Sequence, residues 1–295
     1  MRWHRSGHAS SCGRKWNRSN LGGCADSFLR PARFRTRSQV NDCEEHRLWP
    51  GALESVVEPL DGFDRVLVLE ETASTQDFAR QDGPHPGTVV VAARQTAGRG
   101  RHGRTWSEEA GTGIAMSLVL PAGCTRRLCA CAAVAVARVL VPLFAAHGLH
   151  SGIKWPNDFY VVTPNGRHKI AGVLIEQSDG VAVVGIGVNV LHREWSGELA
   201  EIASSLSDHG IEITRLELQQ RLITSFDEVQ RFDDLELAST FRDFDLIAGS
   251  HVILEHDGAR LEGRVETLDP VNGLLLQTAS GEKMIDSDRV HLIDW

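Results

Sequence analysis

The sequence predicts an α+β protein in which a mixed, mainly antiparallel sheet packs against helices and a small C-terminal β-barrel follows. Valine-rich strand patterns joined by short turns lack the regular strand–helix alternation of a doubly wound sheet. One alanine- and valine-rich run, from Leu128 to Ala146, is too long for a strand and has the length of a buried helix. Over 246–295 only short strand patterns remain, separated by glycine turns, which is the texture of a small barrel.

The chain has 295 residues, 42% hydrophobic and 24% charged, enough for a sizeable core divided between one large and one small domain. Its formal charge of -8 is unevenly spread. Residues 1–40 carry nine basic groups and one acid, so the remainder holds 22 basic groups against 38 acids. A body that acidic repels nucleic acid except at a local basic patch, and DNA is not an expected partner. The basic head has few aliphatic side chains and no apolar periodicity. Residues 1–55 are therefore expected to be a disordered extension, or the product of a start codon placed too early, ahead of a large domain over 56–245 and the barrel over 246–295. The head lacks the apolar segment of a secretory signal and the amphipathic helix of an import sequence, and it is too irregular for a helix-turn-helix. Six cysteines, at 12, 24, 43, 124, 129 and 131, form no CxxC pair, and no HExxH occurs, so no resident metal is expected. Arg138 and Pro142 interrupt the long apolar run, which argues against a membrane span and for a helix that bends or breaks near Pro142. The expected compartment is the cytoplasm.

Organisation is expected from about Gly62. VLVLEETAS, from Val66 to Ser74, reads as a strand entering a turn. Ser74 or Thr75 can cap a short helix, STQDFARQ, closed before Gly83 and Pro84. GTVVVAARQ, from Gly87 to Gln95, is a buried strand, and IAMSLVLP, from Ile114 to Pro121, is another. After the apolar helix come three strands: GIKW ending at Trp155, HKIAGVLIE from His168 to Glu176, and VAVVGIGVNV from Val181 to Val190. Short turns at PND, PNG and SDG make their pairing antiparallel. From about Glu198 to Phe244 the pattern is helical, clearest in LELQQRLITSFDEVQRF. After Gly249, the turns HDG, DPVNG and SGE separate the strands of the barrel.

The stretch GRGRHGRTW, from Gly98 to Trp106, places three glycines and three arginines in one short loop. Gly98, Gly103, Arg104 and Thr105 nearly spell a P-loop, but arginine stands where lysine is needed and a strand follows instead of a helix whose N-terminus would hold phosphate. Gly185-Ile186-Gly187 is not a dinucleotide fingerprint either, because position 190 is Val and no helix begins there. A close-packed strand end is the simpler reading. What the loop suits is an anionic ligand enclosed after entry. Glycines let the backbone fold over it, Arg99, Arg101 and Arg104 offer planar donors to phosphate or carboxylate, and Trp106 offers a face to a base. Taken alone, the loop would equally suit a solvated surface.

The loop belongs to an ordered set: STQ (Ser74 to Gln76), QTAGRGRHGRTW (Gln95 to Trp106), KWPND (Lys154 to Asp158), KIAGVLIE (Lys169 to Glu176) and GIGVN (Gly185 to Asn189). On these motifs the chain resembles the catalytic domain of the biotin–protein ligases. The resemblance implies a class II synthetase-like biotin/lipoate ligase domain with an SH3-like C-terminal barrel. It also implies the reaction. Biotin's carboxylate attacks the α-phosphorus of ATP, with Mg2+ shielding the phosphates, and biotinyl-5'-AMP then acylates one lysine of a partner biotin carboxyl carrier protein.

Carried residue by residue onto this sequence, the resemblance puts Ser74, Thr75, Gln76, Gln95, Gly100 and Gly172 beside biotin. Arg99, Arg101 and Lys169 fall to both biotin and adenylate. Lys169 would lie between the biotin carboxyl and the α-phosphate, with Arg99 on the same anionic side, which makes these two the catalytic candidates. Arg104, Trp106, Asn157 and Asn189 fall to the adenylate, and Asp158 to the side from which the carrier lysine enters. Gln76 departs from the family's usual Asn, keeping the amide on a longer arm. The DNA-binding head of the ligase-repressors is not recognisable, so the resemblance is to the monofunctional form. A lipoate–protein ligase shares the fold and the chemistry, but GRGRHGRTW and KWPND favour biotin, whereas a noncatalytic regulator would make use of the basic head. Exposed sheet edges would suit carrier docking or a homodimer.

Overall fold

The computed structural model describes residues 45–295 other than 82–84, 107–110, 192–193, 196, 198 and 288–289. The basic head, its three cysteines and the helix stop at Gly83 and Pro84 lie outside the described residues.

Structure begins earlier than the sequence suggested. A 3-10 turn (Glu45–Leu48) leads into α1 (Trp49–Val57), which carries a proline in its first turn. Trp49, Leu53 and Val57 recur every four residues and are buried together on one face. The Arg215 guanidinium lies 4.9 Å from the Trp49 ring centroid. The boundary at 55 is thereby corrected to the start of this helix. Its apolar stripe is three residues long and adjoins a charged head, so its burying partner is evident only in three dimensions.

The large sheet is assembled from β1 (Arg65–Thr72), β2 (Thr88–Gln95), β5 (Gly113–Pro121), β6 (His150–Lys154), β7 (Asp158–Thr163), β8 (Gly166–Ser178) and β9 (Val181–Asn189). A two-stranded hairpin, β3 (Gly98–Arg99) with β4 (Thr105–Trp106), forms the glycine-arginine loop. The order is β1-β2-β5-β9-β8-β7-β6. Only β1 and β2 are parallel, a pairing that needs a crossover and finds it in the connection carrying the short helix α2 (Thr75–Ala79); the other neighbours are antiparallel. Four strands follow the long helix where three were expected. DFYVVT, the additional strand β7, is covered on both faces over most of its length and shows no alternation to betray it.

Alternation in β2 divides the molecule. Val89, Val91 and Ala93 join the main core, while Val90 joins Ala79, Val119 and Val183 in a small cluster under α2 on the opposite face. The main-core face is covered by α3 (Thr125–Ala146), α5 (Arg215–Val229) and α6 (Asp234–Phe244); α4 (Leu199–Ile202) lies beyond β9 in sequence. Among the described residues α3 is the helix long and apolar enough to cross a membrane, yet it packs against α5, α6, β6 and β8 as a core helix. It runs unbroken through Pro142, which corrects the expected break. Pro142 faces outward near the helix end, where water can meet the carbonyl it leaves unbonded.

The C-terminal unit is an antiparallel sheet of β10 (His251–His256), β11 (Ala259–Asp269), β12 (Gly273–Thr278), β13 (Gly281–Ile285) and β14 (Val290–Asp294), in the order β13-β12-β11-β10-β14. The HDG turn closes its first hairpin through Asp257 and Gly258, both at positive φ. Val252, Leu254, Leu276 and Leu292 are part of the same continuous core as the large sheet, so this unit is seated on its neighbour.

Candidate active site

The face of the large sheet opposite α3 carries a cavity of about 890 Å³, closed on one side by β14. Every position singled out from the sequence lines it: Ser74, Thr75, Gln76, Gln95, Arg99, Gly100, Arg101, Arg104, Trp106, Asn157, Asp158, Lys169, Gly172 and Asn189.

The floor is made by what β8 and β9 omit. Gly172 and Gly187 are cross-strand partners, and the Trp106 ring lies over them. A Cβ on Gly187 would come within 2.6 Å of that ring, and one on Gly172 within 3.2 Å. Gly185 clears the same kind of space for Gln76, whose Oε1 would lie 2.6 Å from an added Cβ. The GIG sequence is therefore close packing, as the sequence suggested, and its occupants are two side chains of the cavity.

Gln76 is buried, donates from Nε2 to the Val183 carbonyl at 3.0 Å, and accepts at Oε1 from the Ser117 hydroxyl at 3.1 Å. Its longer arm is satisfied within the protein, which answers the departure from Asn. The Ser117 hydroxyl also lies 3.0 Å from Thr75 Oγ1, and its single proton can serve one acceptor at a time. Gln95 Oε1 accepts from the Thr75 amide at 2.9 Å and from its hydroxyl at 3.3 Å. Ser74 is the N-cap of α2, accepting from the Asp77 amide at 3.3 Å, and lines the cavity as well.

The rim is charged. The Lys169 ammonium stands 2.6 Å from Asp158 and 5.7 Å from the Trp106 ring centroid. KWPND turns over a cis Trp155–Pro156 bond. Asn157 donates to the Val173 carbonyl at 2.7 Å and accepts from Arg101 at 2.9 Å; Arg101 donates again to the Ser287 carbonyl at 2.8 Å. Asn189 donates to the carbonyls of Lys169 and Ser204, at 3.3 and 3.1 Å, and so braces the strand that carries Lys169. Arg104 reaches His291 Nε2 at 2.8 Å, which as the acceptor must be unprotonated. Arg99 differs from both. Its guanidinium sits on two carboxylates at the outer edge, Glu176 at 2.5 Å and Asp77 at 2.8 Å.

Sequence reasoning did not single out Lys154, Ser117, Trp195 or the β14 segment, all of which line the cavity. Lys154 lies inside a motif already quoted, and Ser117 is a lone polar residue in a buried strand, so both had a signal. For β14 there was none. Burial holds the Lys154 ammonium below its ordinary pKa, with Asp158 opposing that shift and Lys169, Arg167 and Arg104 adding to it. Burial pushes the Tyr160 phenol upward.

The description "Biotin/lipoate A/B protein ligase family" fits residues 68–191. Over 244 residues the chain is 34% identical to the bifunctional ligase/repressor BirA of Bacillus spizizenii, covering 76% of this chain and 72% of that one. Over 246 residues it is 33% identical to the biotin–[acetyl-CoA-carboxylase] ligase of Mycobacterium tuberculosis, covering 78% and 90%. Among solved structures, the biotin protein ligase of Aquifex aeolicus in complex with biotin and ATP matches with a TM-score of 0.68 and 28% identity, over 79% of this chain and 100% of that one.

Proposed function

The chain belongs to the biotin protein ligases within the biotin/lipoate A/B protein ligase family, and from that premise we propose that this cavity joins biotin to ATP and hands the biotinyl group to a carrier lysine. The product is biotin attached through a biotinyl-5'-AMP intermediate. The observation that carries the assignment of residues is convergence: motifs scattered from Ser74 to Asn189 close on one cavity.

In the first step a biotin carboxylate oxygen bonds to the α-phosphorus of ATP, and the bond to the β-phosphate oxygen breaks, releasing pyrophosphate. Lys169 stands between carboxylate and α-phosphate, where its charge offsets the negative charge gathering there. Asp158 holds that ammonium in place and lies where the carrier lysine arrives. Thr75, Gln95 and Ser117 offer hydroxyl and amide groups to biotin's ring, with Ser74 and Gln76 holding that wall and Gly100 and Gly172 leaving room. Trp106 packs against the adenylate, Arg101 and Arg104 face its phosphate side, and Asn157 and Asn189 keep the surrounding strands in register. Arg99 turns to the bound anion by leaving Asp77 and Glu176, an exchange that costs little because exposed ion pairs are worth about 0–1 kcal/mol. In the second step the carrier ε-amine attacks the acyl carbon, and AMP leaves.

Mg2+ would be held by the nucleotide's own phosphates, whose charge it would shield. Among the described residues no group of three His, Cys, Asp or Glu side chains is placed to cage a metal, and a nucleotide-borne magnesium needs none. The partner is the carrier domain of a biotin-dependent carboxylase, and the compartment is the cytoplasm, where ATP and such carboxylases meet. The test is incubation with Mg-ATP, a biotin carboxyl carrier domain and either biotin or lipoate, reading carrier mass and released pyrophosphate. A biotin-sized gain on one lysine is expected. Transfer of lipoate alone, or activation of neither acid by folded protein, would overturn the reading.

A further inference from the structure

We infer that Lys154 and Arg167, with Arg104, form a seat for the pyrophosphate end of the nucleotide, and that β14 covers this seat when it is empty. The inference rests on the adenylation reading and adds to it the residues that receive the leaving group.

Lys154 ends β6 and lines the cavity. Among the described residues its ammonium makes one hydrogen bond, to the Leu292 carbonyl at 3.3 Å, and stands 5.3 Å from the Tyr160 ring centroid. An ammonium has three donors, and a partly buried one is left short of acceptors by a single long bond. Its charged neighbours are mostly of like sign: Lys169, Arg167 and Arg104 against Asp158, which is already committed to Lys169 at 2.6 Å. Among the described residues the other two cations are held as Lys154 is, each by one hydrogen-bond acceptor of the same strand. Arg104 meets His291 at 2.8 Å, and Arg167 meets Asp294 at 2.7 Å.

One stretch of chain thus supplies a ring nitrogen, a carbonyl and a carboxylate to three cations around one cavity. Pyrophosphate offers each of them charged oxygens, in numbers that β14 cannot match. Arg167 is also pre-set for planar recognition, since its guanidinium lies 4.4 Å over the Trp295 ring, which Tyr160 meets edge-on at 5.6 Å. When the α-phosphorus bond breaks, the electron pair goes to a pyrophosphate oxygen, and charge develops where these cations stand. When pyrophosphate leaves, the acceptors of β14 take the cations back.

The test uses the full chain and inorganic pyrophosphate as the probe. Titration calorimetry should show binding to the unaltered protein, weakened about tenfold by Lys154→Met and by Arg167→Gln, with Lys154→Arg restoring most of the loss. With biotin present, both neutral variants should raise the KM for ATP by a similar factor while the KM for biotin moves far less. ATP–pyrophosphate exchange should fall further than transfer from supplied biotinyl-5'-AMP. If Lys154→Met does not fold, the more exposed Arg167→Gln carries the same measurements. No binding of pyrophosphate to the unaltered protein, or unchanged affinity in folded variants, would overturn the seat while leaving biotin activation standing. Equal losses in exchange and transfer would also overturn it, by assigning these residues to seating the barrel. Weakened pyrophosphate binding in a chain that activates no biotin would support the seat and refute only the choice of acid.

Discussion

The floor and the rim of the cavity are built on different principles. On the floor, Gly172, Gly185 and Gly187 give space to Trp106 and Gln76, and the amide of Gln76 is satisfied by Val183 and Ser117. Added atoms at these glycines would meet a ring or an amide closer than ordinary van der Waals contact. At the rim, Arg99, Arg101, Arg104 and Lys169 are partnered by carboxylates, carbonyls and a ring nitrogen of the protein itself. Those partners are exchangeable for a ligand's oxygens. The floor is thus filled by packed side chains, while the rim is a set of cations held by polar partners that an anionic ligand would replace on the proposed reading.

Lys169 sits where the two meet, on a floor strand with its ammonium at the rim. Lys169→Ala should slow adenylate formation by about 10²–10³-fold with the fold intact, since it removes charge stabilisation at the reacting centre. Single-turnover rates with a circular-dichroism check would show this, and unchanged rates would remove Lys169 from the chemistry. The next largest effect belongs to the floor. Gly187→Ala puts a Cβ about 2.6 Å from Trp106 in a strand locked between β5 and β8. It should cost about 1–3 kcal/mol of ligand binding or stability. Adding Trp106→Ala should recover part of that loss, and additive losses in the double variant would break the shape account.

At the rim, Arg99→Ala should weaken retention of biotinyl-5'-AMP about tenfold and biotin entry much less, because the arginine leaves its surface carboxylates only for an anion. Comparing the adenylate off-rate with the biotin Kd tests it, and equal losses would place Arg99 with the floor. The smallest effect is expected away from the cavity lining, beside the strand that ends in Lys154. Asp245 follows α6, bridges in parallel to Ile153 of β6, and accepts from the amides of Ile247 at 3.2 Å and Ala248 at 2.6 Å. Burial pushes its carboxyl from 3.8 up to about 6, outweighing those donors. The folded protein then retains a proton that the unfolded chain releases. The resulting stability is fully present below pH 3.8 and is lost as pH rises through about 6. Asp245→Asn keeps an acceptor for both amides and should gain on the unaltered protein at pH 7 but not near pH 4. Denaturation midpoints at the two pH values measure this, and an equal gain at both would assign the effect to packing.

The two regions were unequally legible in the sequence. The floor glycines lie in strands with short turns, so they and their motif order could be read directly, and all three reached the cavity. The rim was half legible. Its arginines were named, but their destinations were not: Arg99 went outward to Asp77 and Glu176, whereas Arg101 and Arg104 went to Ser287 and His291, residues 186 and 187 positions away. The same limit hid α1, whose stripe is buried only by the distant elements α5 and β1, and β7, whose coverage on both faces erases the period of two.

By itself the sequence determined the α+β class, the terminal barrel, the turns and the ordered motifs, because strand period, turn chemistry and glycine spacing act over a few residues. Only the tertiary structure decided which cations β14 would hold, which ring the paired glycines would admit and where Gln76 would spend its amide. Those outcomes depend on side chains brought together from distant parts of the chain, where packing and the local supply of acceptors choose the partner and no local pattern records the choice.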